Sequence, residues 1–128
     1  MKDFKTRIKI KAELEDVYAA FTNPFTIALW SGYPATMSTE SGFEFSMWEG
    51  DIVGRIVEVE EQKQIVQEWY FGDQEEQSLV TIKFFPQGAS KVQIDVIHTN
   101  IPDEALEEIS EGWNEYYLGA IKEFLEED

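Results

Sequence analysis

The stretch from Asp103 to Glu126 carries the longest helical periodicity in the chain, and its width dictates what the other residues must form. Leu106, Ile109, Trp113, Tyr116, Tyr117, Ala120, Ile121, Phe124 and Leu125 recur at steps of three and four, one stripe of a helix of period 3.6. Glu104, Glu107, Glu108, Glu111, Glu115 and Glu123 fall on the opposite face. Pro102 followed by two acids suits a helix start, where the helix dipole favours negative charge. About 24 residues at 1.5 Å each make a helix of roughly 36 Å. A stripe this wide and aromatic needs a broader cover than one neighbouring helix, so the preceding segments are expected to wrap it as a curved sheet.

Those segments have the right periods. Phe4, Thr6, Ile8 and Ile10 alternate with Lys5, Arg7, Lys9 and Lys11, a half-buried strand with a basic outer ribbon. Leu14, Val17, Tyr18 and Phe21 predict a short amphipathic helix over 13–22. Asn23-Pro24 caps a second over 24–29, which Ser31-Gly32-Tyr33-Pro34 breaks. From Thr36 to Asn100 strands alternate with turns: 43–47, 52–59, 65–71, 78–85 and 91–99, joined at Glu49-Gly50-Asp51, 60–64, 72–76 and 87–89. In the first of these Phe43, Phe45 and Met47 oppose Glu44, Ser46 and Trp48. In the last two Val80, Ile82, Phe84, Val92, Ile94, Val96 and His98 share one parity, with Lys83, Lys91, Gln93 and Asp95 on the other. The expected order is one strand, two short helices, about six further antiparallel strands and one long helix. Strands segregated from helices in this way define the α+β class.

A chain of 128 residues is read as one domain, and 43% hydrophobic residues with 14% aromatics supply enough apolar surface to exclude disorder. No apolar run is long enough to span a membrane, and the start MKDFKTRIK lacks a signal-peptide core, so the expected location is cytoplasmic. The absence of cysteine excludes a disulfide framework and thiolate chemistry. A net charge of −16 argues against nucleic acid and anionic membranes as partners, since both demand clustered positive charge. Of the ten basic residues, Lys2, Lys5, Arg7, Lys9 and Lys11 lie in the first eleven positions. Such a ribbon either blunts a strand edge or docks an acidic partner.

Chemistry-bearing motifs are sparse. His98 is the single histidine and faces inward on the alternation; it is either a proton relay or a hydrogen-bonded member of the core. With no cysteine and no second histidine, no zinc site is expected. The carboxylates fall mainly on solvent faces, and Glu68 points away from Trp69. No dinucleotide or phosphate-binding loop and no nucleophile elbow occurs, so no cofactor is expected. The richer candidate is aromatic. Phe21, Trp30, Tyr33, Phe45, Trp69, Trp113, Tyr116 and Tyr117 are expected to converge between sheet and helix, joined by Met47, Val80, Ile82, Val96 and His98. Their rings would line a ligand cavity with Tyr hydroxyls and indole N–H groups as polar handles, or fill a solid core. Gly112 costs the helix about 1 kcal/mol relative to alanine and marks a close contact or an opening there.

Ala20-Phe21-Thr22-Asn23-Pro24, Trp30, Glu49-Gly50-Asp51 through Gly54 and Ile65-Val66-Gln67-Glu68-Trp69 stand in order along the chain. They are followed by His98, Ile101-Pro102, Gly112-Trp113-Asn114-Glu115-Tyr116-Tyr117 and Ile121-Lys122. Together they resemble the START-like (SRPBCC) superfamily, whose helix-grip fold includes the birch-pollen-allergen (Bet v 1) type. Within it they resemble the C-terminal domain of activators of the heat-shock protein 90 ATPase. The resemblance covers nearly the whole chain and implies a curved sheet gripping one long helix. Eukaryotic activators of this kind also have a separate N-terminal docking domain, to which nothing in these residues corresponds. In the wider superfamily the space under the helix often holds lipids, hormones or polyketides, and some members are cyclases. One fold hosts many activities, so three remain open. The first is a non-enzymatic binder of a small hydrophobic ligand. The second is a module interacting with a heat-shock protein 90 type chaperone, in a co-chaperone or stress-response role, with Lys5, Arg7, Lys9 and Lys11 as docking candidates. The third, a cyclase, is disfavoured because few polar groups face inward.

Overall fold

In the computed structural model, which describes residues 1–72 and 76–126, strand β1 (Lys2–Ile10) leads into helices α1 (Leu14–Thr22) and α2 (Pro24–Ser31). Strands β2 (Glu44–Met47), β3 (Ile52–Glu60), β4 (Gln64–Trp69), β5 (Ser78–Pro86) and β6 (Val92–Ile101) follow. The sheet is wholly antiparallel in the order β1-β6-β5-β4-β3-β2, so the first strand pairs with the last and the sheet is closed by a long-range ladder. Among the described residues five strands follow the helices where about six are expected, and Thr36 makes only an isolated bridge to Ser46. Within the turn expected over 72–76, residues 73–75 lie outside the described residues.

Local chemistry explains the joints. Asn23 ends α1 and caps α2, its Oδ1 accepting from the Phe25 and Thr26 amides at 2.9 and 3.3 Å, with Pro24 at the first helical position. Gly32, at φ 84°, stops α2 in the left-handed conformation, which glycine adopts at little cost because it has no Cβ. Curvature enters at β3, where the register slips between Ile56 and Glu58 as a bulge. Gly54 lies beside it with its backbone against β4. A Cβ there would overlap the Glu68 carbonyl and sit 2.8 Å from the Phe45 ring.

The C-terminal stretch is helical from Asp103 to Glu126 but is not one regular α-helix. A 3-10 turn (Asp103–Ala105) precedes α3 (Leu106–Glu111), a π turn (Gly112–Tyr117) and α4 (Leu118–Glu126). Hydrogen bonds in a π turn span five residues, so the turn holds one residue more than an α turn. Gly119 makes room for it, since a Cβ there would stand 2.6 Å from the Asn114 carbonyl oxygen. The extra residue displaces the apolar stripe. Trp113, Tyr117, Leu118 and Ile121 are buried, whereas Tyr116, expected to face inward, is 63% exposed.

Helix α4 packs on α1, α2 and β1, and α3 on β1. Lys122 Nζ donates to the Lys9 carbonyl at 2.8 Å, the Lys11 amide donates to Glu126 at 2.8 Å, and Thr6 Oγ1 donates to Asn114 Oδ1 at 2.8 Å. The first of these satisfies a carbonyl of β1, an edge strand, and the three together tie the C-terminal helical stretch to the N-terminal segment.

Candidate functional site

Under the π turn the aromatic rings form a pile. Trp113 stacks on Tyr117 at 4.5 Å between ring centres and on Trp69 at 5.1 Å, and Tyr117 stacks in turn on Phe21 at 5.8 Å. The expected polar handles are used internally. Trp30 Nε1 donates to the Ala20 carbonyl at 2.8 Å, Trp69 Nε1 to Gln67 Oε1 at 2.9 Å and Tyr117 Oη to Met47 Sδ at 3.8 Å. Burial raises the Tyr117 pKa far above its ordinary value, so the phenol stays protonated. Gln67, a buried polar residue among the apolar positions of β4, serves Trp69; nothing in the alternation distinguishes it.

Trp113 Nε1 donates to His98 Nδ1 at 3.0 Å, which fixes the histidine as the neutral tautomer with its proton on Nε2. His98 is fully buried against the rings of Trp69, Phe71 and Trp113, and Nε2 has no hydrogen-bond partner among the described residues. Desolvation lowers its pKa from the ordinary 6.5 to about 4, so it is uncharged at neutral pH.

A cleft of about 490 Å³ opens at one end of this pile, where the start of β3 and the end of β4 meet α3 and the π turn. Trp69, Trp113 and Tyr117, each nearly inaccessible to solvent, form its floor. Trp48, Ile52, Ile109 and Tyr116 wall it, and Asp51, Glu108 and Glu111 stand exposed at its rim. Gly112 lies at this opening with nothing within 4 Å of where a Cβ would project, so its small size serves the opening and not a close contact.

The structure divides the sequence-derived candidates. Phe21, Trp30, Phe45, Met47, Val80, Ile82, Val96 and His98 are buried in the core and do not line the cleft. Tyr33 is a correction: it is 44% exposed, because the left-handed Gly32 turns the chain outward before it. Tyr116, corrected above, sits at the cleft's lip as a consequence of the π turn. Trp48 reverses the opposite expectation. Strand β2 ends at Met47, Trp48 and Glu49 adopt φ 49° and 53°, and the Trp48 ring swings in to meet Trp30 at 5.4 Å and Tyr117 at 5.7 Å. The turn residues Glu49-Gly50-Asp51 were the available signal that the alternation stops there.

Lys5, Arg7 and Lys9 on the outer face of β1, and Lys11 just past its end, are all exposed. Arg7 forms a two-pronged pair with Asp95 at 2.8 and 3.0 Å. The hydrogen bonds and charge of that pair raise the arginine pKa and lower that of the aspartate. Part of the basic ribbon is therefore neutralised by β6. Among the described residues no helix is long and apolar enough to cross a membrane.

Known proteins share this architecture. A crystal structure of an HSP90 activator from Plasmodium falciparum superposes with a TM-score of 0.89 at 26% identity, covering 98% of this chain and 96% of that one. The solution structure of an Aha1 dimer from Colwellia psychrerythraea gives a TM-score of 0.84 at 17% identity over 99% and 98% of the two chains, a likeness of fold. Among curated proteins, an activator of 90 kDa heat shock protein ATPase homolog from Dictyostelium discoideum is 29% identical over 90% of this chain. Its human counterpart, homolog 1, is 27% identical over 85%. The chain spans about a third of the length of these curated relatives, 32% of each. The family model for activator of Hsp90 ATPase homolog 1-like proteins matches residues 11–126. On that match, which runs from the end of β1 through α4, the chain belongs to the activator of Hsp90 ATPase homolog 1-like family.

Proposed function

We propose that this domain is a non-enzymatic, cytoplasmic binder of a small hydrophobic ligand, held in the cleft between the C-terminal helix and the sheet. The observation that carries the reading is the cleft itself: about 490 Å³, floored by three indole and phenol rings, within the few hundred Å³ usual for small-molecule sites. Beneath that floor the interior is filled by the stacked rings of Trp69, Trp113, Tyr117 and Phe21, so a ligand would rest on ring surface at the cleft and not inside the core. The state of His98 speaks against cyclase chemistry, because its Nδ1 is engaged by Trp113 and it stays uncharged at neutral pH behind the cleft floor. The test is a panel of lipids, sterols and aromatic polyketides read by tryptophan fluorescence and melting temperature. Ligands that enter should quench Trp69 or Trp113 and raise the melting temperature by mass action. A panel that moves neither observable refutes the reading.

The family match supports a second reading, a module that docks on a heat-shock protein 90 type chaperone. The exposed cations of β1 suit an acidic surface, and charge reversal at Lys5 and Lys9 should weaken such a complex most at low salt. Co-sedimentation with purified chaperone decides it, and an unchanged association of the reversed variant removes β1 as the docking face.

A further inference from the structure

Among the described residues, every ionisable side chain at the cleft is acidic or a tyrosine: Asp51, Glu108 and Glu111 stand at the rim, and no lysine, arginine or histidine lines it. None of the three carboxylates has a hydrogen-bond or ion-pair partner among the described residues, although Arg7, Arg55 and Lys122 elsewhere are each paired with an acid. An apolar ligand gains nothing from such a rim. A cation gains twice, because aromatic ring faces also attract positive charge through their quadrupole. Ring surface is free for this on Trp48, which is half-buried, and on Tyr116, the most exposed aromatic of the cleft.

We infer that the ligand is a small organic cation, an alkylated amine or quaternary ammonium on an apolar or aromatic body. The inference rests on the cleft reading above and deepens it. The apolar body enters against Trp69, Trp113 and Tyr117, while the ammonium group stays at the mouth between Trp48, Tyr116 and the carboxylates. There it keeps part of its hydration and avoids the cost of a deeply buried charge. The negative field of a chain with net charge −16 adds long-range attraction for cations and repels anionic lipids and fatty acids.

Two probes of one shape test this: benzyltrimethylammonium and its uncharged isostere neopentylbenzene, titrated at low ionic strength and followed by tryptophan fluorescence and by the indole N–H resonances. The cation should bind at least about tenfold more tightly than the isostere. Asp51→Asn, Glu108→Gln and Glu111→Gln combined, all at exposed positions, should close most of that gap while leaving the isostere's affinity unchanged. Equal binding of the two probes to the unmodified protein overturns the inference and leaves the cleft as an apolar site. A preference for the cation that survives the triple substitution overturns the role of the rim. If neither probe binds, both the inference and the cleft reading fall.

Discussion

Acidification should unfold this protein through one buried imidazole. Neutral His98 accepts from Trp113 at 3.0 Å, and protonating it would place a proton on the accepting nitrogen and a charge among three aromatic rings. Its pKa is about 4 in the fold against 6.5 in the open chain, so the unfolded state binds the proton more readily and stability falls as pH falls. From these two values the loss is about 0.8 kcal/mol at pH 6, about 2 at pH 5 and about 3 at pH 4 relative to pH 8. Partial neutralisation of the surplus carboxylates relieves repulsion over the lower part of this range and works in the opposite direction. The comparison must therefore be with His98→Gln, which keeps an acceptor for the indole and does not titrate. Urea denaturation of both proteins from pH 8 to pH 4, followed by tryptophan fluorescence, gives the difference directly. The advantage of the histidine protein should shrink by about 3 kcal/mol across the series. A difference that stays flat would mean that the imidazole does not charge on unfolding as proposed, or that the fold tolerates the imidazolium.

Trp113→Ala removes the ring that joins Trp69 to Tyr117 and should cost about 3–5 kcal/mol in urea denaturation. The two glycines near the π turn should respond in opposite senses. Gly112→Ala meets nothing within 4 Å and should stabilise by about 0.5–1 kcal/mol, whereas Gly119→Ala drives a Cβ into the Asn114 carbonyl and should destabilise by about 1–3 kcal/mol. Thermal or urea unfolding of the pair checks both signs. Asn23→Ala leaves the Phe25 and Thr26 amides without their acceptor and should lower stability by about 1 kcal/mol in the same assay.

The last two strands were legible because they keep their alternation: the parity that turns Val92, Ile94 and Val96 inward also turns His98 inward, and all four are buried. Asn23-Pro24 was legible because its side-chain chemistry acts within three residues. What failed depended on contacts that no local pattern reveals. Tyr116 is turned outward and Leu118, absent from the expected stripe, is buried because the π turn holds one extra residue, and what permits it, Gly119 against the Asn114 carbonyl, lies one step beyond the α-helical spacing. Trp48 reads as outward only while the strand is assumed to continue past Met47. The acidic rim was hidden for another reason. Glu108 and Glu111 belong to the solvent face of the helix, and only the approach of Asp51 from the start of β3 makes them the edge of a cleft.

The two functional readings use different surfaces, and the alternation of β1 separates them. Thr6 points inward, where its hydroxyl holds Asn114 of the π turn, while Lys5 and Arg7 on either side of it point outward from the sheet. The cleft lies where the opposite half of the sheet meets the helix, on β3 and β4, and takes nothing from β1. Charge reversal at Lys5 and Lys9 therefore leaves the cleft residues untouched, and neutralising Asp51, Glu108 and Glu111 leaves the β1 ribbon untouched. Thr6→Val acts differently, since it frees the π turn from β1 without altering either surface. A ligand affinity that changes in that variant would locate the link between ribbon and cleft in the Thr6–Asn114 hydrogen bond; an affinity that stays constant would make the two surfaces independent.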